Sequence, residues 1–120
     1  MTAVIAPAGP LTTTAELPES MLFGSTTQAA TWLAYVGLLG RFDPIWRRSQ
    51  WMQWNGFAWE RCESQDVHRA VRHALGSVYD RRMAQNPDAE EVMLLLRLMD
   101  LNWRLGPLMW ELRRALRDRA

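Results

Sequence analysis

The side chains with the widest chemical repertoire in this 120-residue chain are few: one cysteine, Cys62, and two histidines, His68 and His73. A zinc centre would have to draw on all three. His68 and His73 are five positions apart, however, so on a helix they do not share a face, and no fourth ligand stands nearby. A cysteine nucleophile with a histidine base would use the same residues, and nothing in the sequence orients such a pair. A lone cysteine reads instead as a small apolar side chain. Glu90 and Glu91 are adjacent acids at a helix start, where the helix dipole and solubility account for them. All 14 basic side chains are arginine. Without lysine the chain can hold neither a P-loop lysine nor a Schiff-base lysine. It also has no G-x-S-x-G motif and no glycine-rich phosphate loop. The reading is a non-catalytic protein with no metal and no cofactor.

What remains is arginine and tryptophan. A guanidinium group binds phosphate or carboxylate as a planar fork and stacks on aromatic rings. Arg69, Arg72 and His73 fall on one helical face, and with Arg47 and Arg48 they are the candidates for tracking a phosphate backbone. The chain has seven tryptophans. Trp46 and Trp51 are the candidates for docking or for stacking on unpaired bases. Trp54 and Trp59 are assigned to the core.

These side chains must be positioned by a small number of elements. Residues 1–24 carry Pro7, Pro10 and Pro18 and no persistent period, so they read as a flexible leader that could fold on a partner. Residues 25–120 form one domain. The leader contains two of the 13 acids, Glu16 and Glu19, and none of the 14 arginines, so the domain carries a net +3. That imbalance alone does not establish a nucleic-acid partner. Ser25 or Thr26 caps a helix over about 26–38, and Asp43-Pro44 then forces the chain into extension.

Next comes IWRRSQWMQW-NG-FAWERC, an Asn-Gly pair between two aromatic-rich runs, which predicts a β-hairpin over about 45–62. With a two-residue type I′ turn at Asn55-Gly56, Trp54 faces Phe57 and Met52 faces Trp59. One face then holds Met52, Trp54, Phe57 and Trp59, and the other holds Trp51, Gln53, Ala58 and Glu60. The first face is expected to pack on a helix. Further helices are predicted over about 65–83, 88–105 and 108–118. Val67, Ala70, Val71, Ala74, Leu75 and Val78 make the apolar stripe of the first of these. The helix over 88–105 is apolar almost all round, so it is either central to a bundle or packs on another molecule, including a second copy through 92–105. Pro87 is expected in its first turn, and Gly106-Pro107 ends or kinks it. The last helix turns Met109, Leu112 and Leu116 inward and Arg113, Arg114, Arg117 and Arg119 outward. The fold class is α+β, mainly α: about four helices with one tryptophan-rich hairpin packed on them. No run of 18 apolar residues exists, and no basic residues precede the apolar stretch at the amino terminus, so neither a membrane span nor a secretory signal is expected. A cytoplasmic location follows as the expectation.

Over residues 25–118 the order of these signals resembles the poxvirus-type N-terminal domain of phage and plasmid primase–helicases, the module that precedes the superfamily 3 helicase motor. The core of the likeness is W-x-x-W-N-G-x-x-W, here Trp51, Trp54, Asn55, Gly56 and Trp59. Asn55 stands where that family more often has aspartate. No primase acid cluster and no Walker motif accompany the module in this chain. The resemblance implies a stand-alone replication accessory of a phage or mobile element that binds DNA, docks on a helicase or primase, or does both. A second expectation, from another class, is a protein-directed inhibitor of a host or defence complex, motivated by the long apolar helix and the free tryptophans.

Overall fold

A computed structural model of the chain describes residues 17–38, 41–45, 50–100 and 105–118. Four helices and a three-stranded antiparallel sheet make the α+β, mainly α architecture expected from the sequence. Trp46, Arg47 and Arg48 lie outside the described residues, as do residues 1–16, Arg119 and the side chain of Arg117.

The chain enters with a 3₁₀ turn at Glu19–Phe23, launched by Pro18 in extended conformation. Leu22, in this turn, is fully buried (0% exposed), and Leu17, Met21 and Phe23 pack against the core. Residues 17–24, assigned from sequence to the flexible leader, therefore belong to the folded chain. They escape a periodicity search because a single short turn has no period, yet they supply apolar area.

Helix α1 spans Thr26–Trp32. Ser25 Oγ accepts from the Gln28 N–H (3.1 Å) while Gln28 Oε1 accepts from the Ser25 N–H (2.9 Å), a reciprocal cap that satisfies two otherwise orphaned donors. The helix continues as a wider π turn, Leu33–Gly37, closed by Leu38 N–H to Leu33 C=O at 2.8 Å. Gly37 sits where a Cβ would stand 3.0 Å from the Trp32 ring and 3.5 Å from Ala74 Cβ. The missing side chain is what lets the end of the turn close on the next helix.

Strand β1 (Phe42–Ile45) was not anticipated as a strand, only as extended chain. It pairs with β2 (Gln50–Trp54), which pairs with β3 (Trp59–Cys62), in the order β1-β2-β3. Proline at position 44 lacks a donor, which an edge strand tolerates. The β2–β3 register is Trp51 to Cys62, Met52 to Arg61, Gln53 to Glu60 and Trp54 to Trp59.

The two-residue type I′ turn is thus replaced by a four-residue connection, Asn55–Ala58. Gly56 takes φ +107°, and Asn86 is the only non-glycine residue with positive φ among those described, so Asn55 does not adopt the I′ geometry. Asn55 Oδ1 instead accepts from the N–H groups of Phe57 (2.9 Å) and Ala58 (3.0 Å), and the Asn55 N–H donates to Ala58 C=O (3.1 Å). A side-chain carbonyl that closes its own loop competes successfully with the tighter turn.

Helix α2 spans Ser64–Met83, with the Asp66 carboxylate accepting from the Glu63 N–H at 2.8 Å. Its predicted stripe holds: Val67, Val71, Leu75 and Val78 are buried. Helix α3 spans Ala89–Met99 and is capped by Asp88, whose side chain accepts from the Glu91 N–H at 2.8 Å. Pro87 precedes that cap rather than sitting in the first turn. The helix stops at Met99, short of Leu105, because Asp100 leaves helical geometry (ψ 87°). Helix α4 spans Leu105–Asp118 and takes Gly106 and Pro107 into its own first turn instead of ending the preceding helix there. The first turn needs no proline N–H, so nothing is lost. Leu108, Met109, Leu112 and Leu116 of α4 are buried.

Helix α4 packs on α1 and β1, while α2 packs on α3, the π turn and β2. Both sets of helices therefore reach the sheet. Among the described residues no polar or charged side chain is buried, and no helix is long and apolar enough to cross a membrane.

Candidate functional site

The ladder decides which sheet face meets the helices. Phe42, Trp51 and Cys62 share the inner face by alternation, and Trp51 is 1% exposed beneath the Arg113 guanidinium, 5.1 Å from its ring centroid. Trp51, expected to be a docking or stacking residue, is therefore a core residue. Arg113, expected to point outward, is half-buried over it, and burial lowers its pKa from the ordinary value. The opposite assignment also reverses. Met52, Trp54 and Trp59 lie on the outer face, half-buried, and among the described residues none is part of the core cluster or packed against it. Phe57, expected in that core, is 91% exposed at the loop tip. The expected groupings of side chains by face are nonetheless correct, because a register shift of two preserves alternation. What inverted is the face that the helices cover. Phe42, arriving on β1, adds a large apolar side chain to the Trp51 face.

Trp54 and Trp59 stand directly opposite each other with ring centroids 5.6 Å apart and planes 68° apart, an edge-to-face contact. The next row of the same face is Asp43, Met52 and Arg61.

The basic residues gather along α2. Residues 66, 69, 70, 73, 74, 77 and 81 recur at helical spacing, and all of them line two adjoining clefts. One, of about 520 Å³, is bounded by Arg41, His73, Ser77, Arg81 and Glu19 among others. The second, of about 350 Å³, is bounded by Arg41, Gln53, Asp66, Arg69 and His73. Arg41, Ala70 and His73 belong to both, so the two form one groove between α2 and the start of β1. Of the residues singled out in sequence, Arg69 and His73 come together there. Arg72 is exposed and lines neither cleft, since one residue step turns it about 100° around the helix from His73. Arg41 and Arg81 were missed. Arg41 follows the first helix, so no local spacing joins it to α2, whereas Arg81 lies on the same face as His73 and helical spacing could have found it.

These guanidinium groups are not equally available. Arg81 pairs with Glu19, and Arg82 bonds both Glu19 (2.6 Å) and Glu91 (2.8 Å) while standing 5.1 Å over the Phe23 ring. Burial pushes the Glu19 carboxyl up, but the bonds and charges of Arg81 and Arg82 outweigh it and hold the pKa below the ordinary 4.5. Arg69 has an exposed contact to Asp66 at 3.3 Å, a pair of little energetic weight. Arg41 donates through Nε to Leu38 C=O (3.2 Å) and meets no carboxylate among the described residues.

Cys62 is half-buried, and burial, reinforced by Asp66, Glu63 and Glu60, pushes its thiol up to about 11. His68 is lowered by burial and by the nearby charge of Arg72. No cluster of three or more metal-ligating side chains occurs among the described residues.

Comparison of the chain with models of known protein families, with characterised proteins and with solved structures returned no match.

Proposed function

We propose that this protein is a nucleic-acid-binding module without catalytic activity that serves as an accessory in the replication of a phage or other mobile element. The observation that carries the reading is the groove along α2, where Arg41 at the start of β1 joins Arg69, His73 and Arg81 of the helix on one concave surface. Guanidinium groups that lack strong internal partners are free to neutralise phosphates, and releasing the condensed counterions drives that association. Asp66 and Glu19 lie at the same groove and moderate its charge, which suits a reversible accessory rather than a tight clamp. The replication context is supported by the Trp51, Trp54, Asn55, Gly56, Trp59 pattern shared with the primase–helicase module.

Fluorescence anisotropy of labelled 20-mers across a salt series tests it. Affinity falls steeply as salt rises, and Arg41→Ala with Arg69→Ala flattens the slope by about one unit for each phosphate contact removed. Absence of binding at low salt overturns the reading.

A second reading is favoured by a different observation. Met93 and Leu96 on α3 and Trp110 on α4 are exposed, large and apolar. They support docking on a protein such as a helicase, a primase or a host or defence complex, or on a second copy through α3. A stoichiometric protein partner that survives nuclease treatment of the lysate would favour this alternative.

A further inference from the structure

We infer that the larger of the two α2 clefts seats one unpaired nucleotide of a bound strand, its base against the apolar floor and its phosphate at Arg41. This inference rests on the reading of the α2 groove given above and names the unit that the groove recognises.

The cleft has two kinds of wall. Trp32 and Val78 are buried, and Ala70 and Ala74 are half-buried, so these four form its floor. Arg41, His73, Ser77 and Arg81 are exposed and form its rim. Ala70 and Ala74 stand one turn apart on α2, so nothing larger than a methyl group rises from that stretch of the helix. Gly37 adds no side chain from the π turn. The space left, about 520 Å³, falls within the range of about 300–1,000 Å³ that encloses a small organic ligand. A duplex does not enter such a space, whereas one base taken out of its stack does.

The rim suits a nucleotide better than a plain anion. Arg41 uses Nε on Leu38 C=O (3.2 Å), and its guanidinium meets no carboxylate among the described residues. Its terminal nitrogens are a forked donor of the kind that phosphate takes. Ser77 Oγ donates to His73 C=O (3.0 Å), which leaves its lone pairs to accept from an N–H on a base edge. An acidic side chain brings no such donor, and it would meet Glu19 here and Asp66 in the adjoining cleft. That smaller cleft shares Arg41 and His73 and adds Arg69, so it receives the next phosphate of the strand.

Fluorescence anisotropy on the full chain at low salt tests this, with a labelled oligothymidine 15-mer set against an abasic 15-mer that carries the same phosphates. The strand with bases is expected to bind on the order of tenfold more tightly. Ser77→Leu lays an apolar side chain over the cleft, leaves its charge unchanged and favours the helix. It is expected to lower oligothymidine to the abasic affinity and to leave abasic binding within about twofold. Equal affinity for the two strands, or a preference for bases that Ser77→Leu leaves intact, would overturn the pocket and leave the groove reading standing. Failure of both strands to bind would overturn both readings. Titration with thymidine monophosphate separates a free nucleotide from one within a strand. The strand, held also at the smaller cleft, is expected to bind at least about tenfold more tightly, and equal affinities would overturn the strand as occupant. Displacement of oligothymidine by an equal concentration of an oligoglutamate peptide would assign the cleft to an acidic protein and overturn the inference.

Discussion

At the scale of single residues, three aromatic side chains close together in sequence have three different fates. Trp51 is buried beneath the Arg113 guanidinium, Trp54 stands half-covered on the far face, and Phe57 is in solvent. Removing a buried indole costs the transfer energy of a large apolar group plus a cavity, so Trp51→Ala should lose about 3–5 kcal/mol, and Trp54→Ala markedly less. Denaturant unfolding of the two variants decides it, and a larger loss at Trp54 would reverse the assignment of faces. Cys62 makes a second prediction. A thiol raised to about 11 by burial and by three neighbouring acids carries little thiolate at mildly alkaline pH. Alkylation by iodoacetamide near pH 8.5 should run about two orders of magnitude slower than for a free thiol of ordinary pKa, and accelerate as pH rises toward 11. A rate matching free cysteine would contradict the environment described.

At the scale of elements, the 3₁₀ turn at Glu19–Phe23 is the piece whose contribution exceeds its length. Leu22 fills the core, and Glu19 ties the turn to α2, whose Arg82 reaches on to Glu91 of α3. Leu22→Ala should cost about 2–5 kcal/mol, as for any enclosed leucine. The carboxylate contributes in a defined pH window. Its pKa is lowered in the folded chain, so its stabilisation is complete above the unfolded value and is lost as pH falls through the folded one. The melting temperature of the parent should therefore drop more between about pH 6 and about pH 3 than that of Glu19→Gln. Equal drops would mean that the cluster adds nothing to folding. The sequence revealed that α2 exists and which stripe it buries, because a 20-residue helix repeats its pattern many times. It did not reveal this turn or β1, each too short to repeat anything.

At the scale of the whole molecule, the candidate site is a product of assembly. Arg69 and His73 were legible because they share a face of one helix. Arg41 joins them only because β1 returns beside β2 and delivers residue 41 to the groove, whereas Arg81 shares their helix face and was legible in principle.

The amino-acid sequence by itself determined the fold class, the helical stripes and the reversal of the chain near Asn55-Gly56, and it narrowed the first helix cap to Ser25 or Thr26, of which Ser25 is used. Each of these is set by periodicity or by bonds spanning at most a few residues. It also determined that alternate hairpin residues would share a face, since a strand has a period of two. Only the tertiary structure decided which face would be dry. The balance turned on Phe42, on the adjoining helix α2 and on α4, which lies far from the hairpin in sequence, and burial is a property of what is brought together.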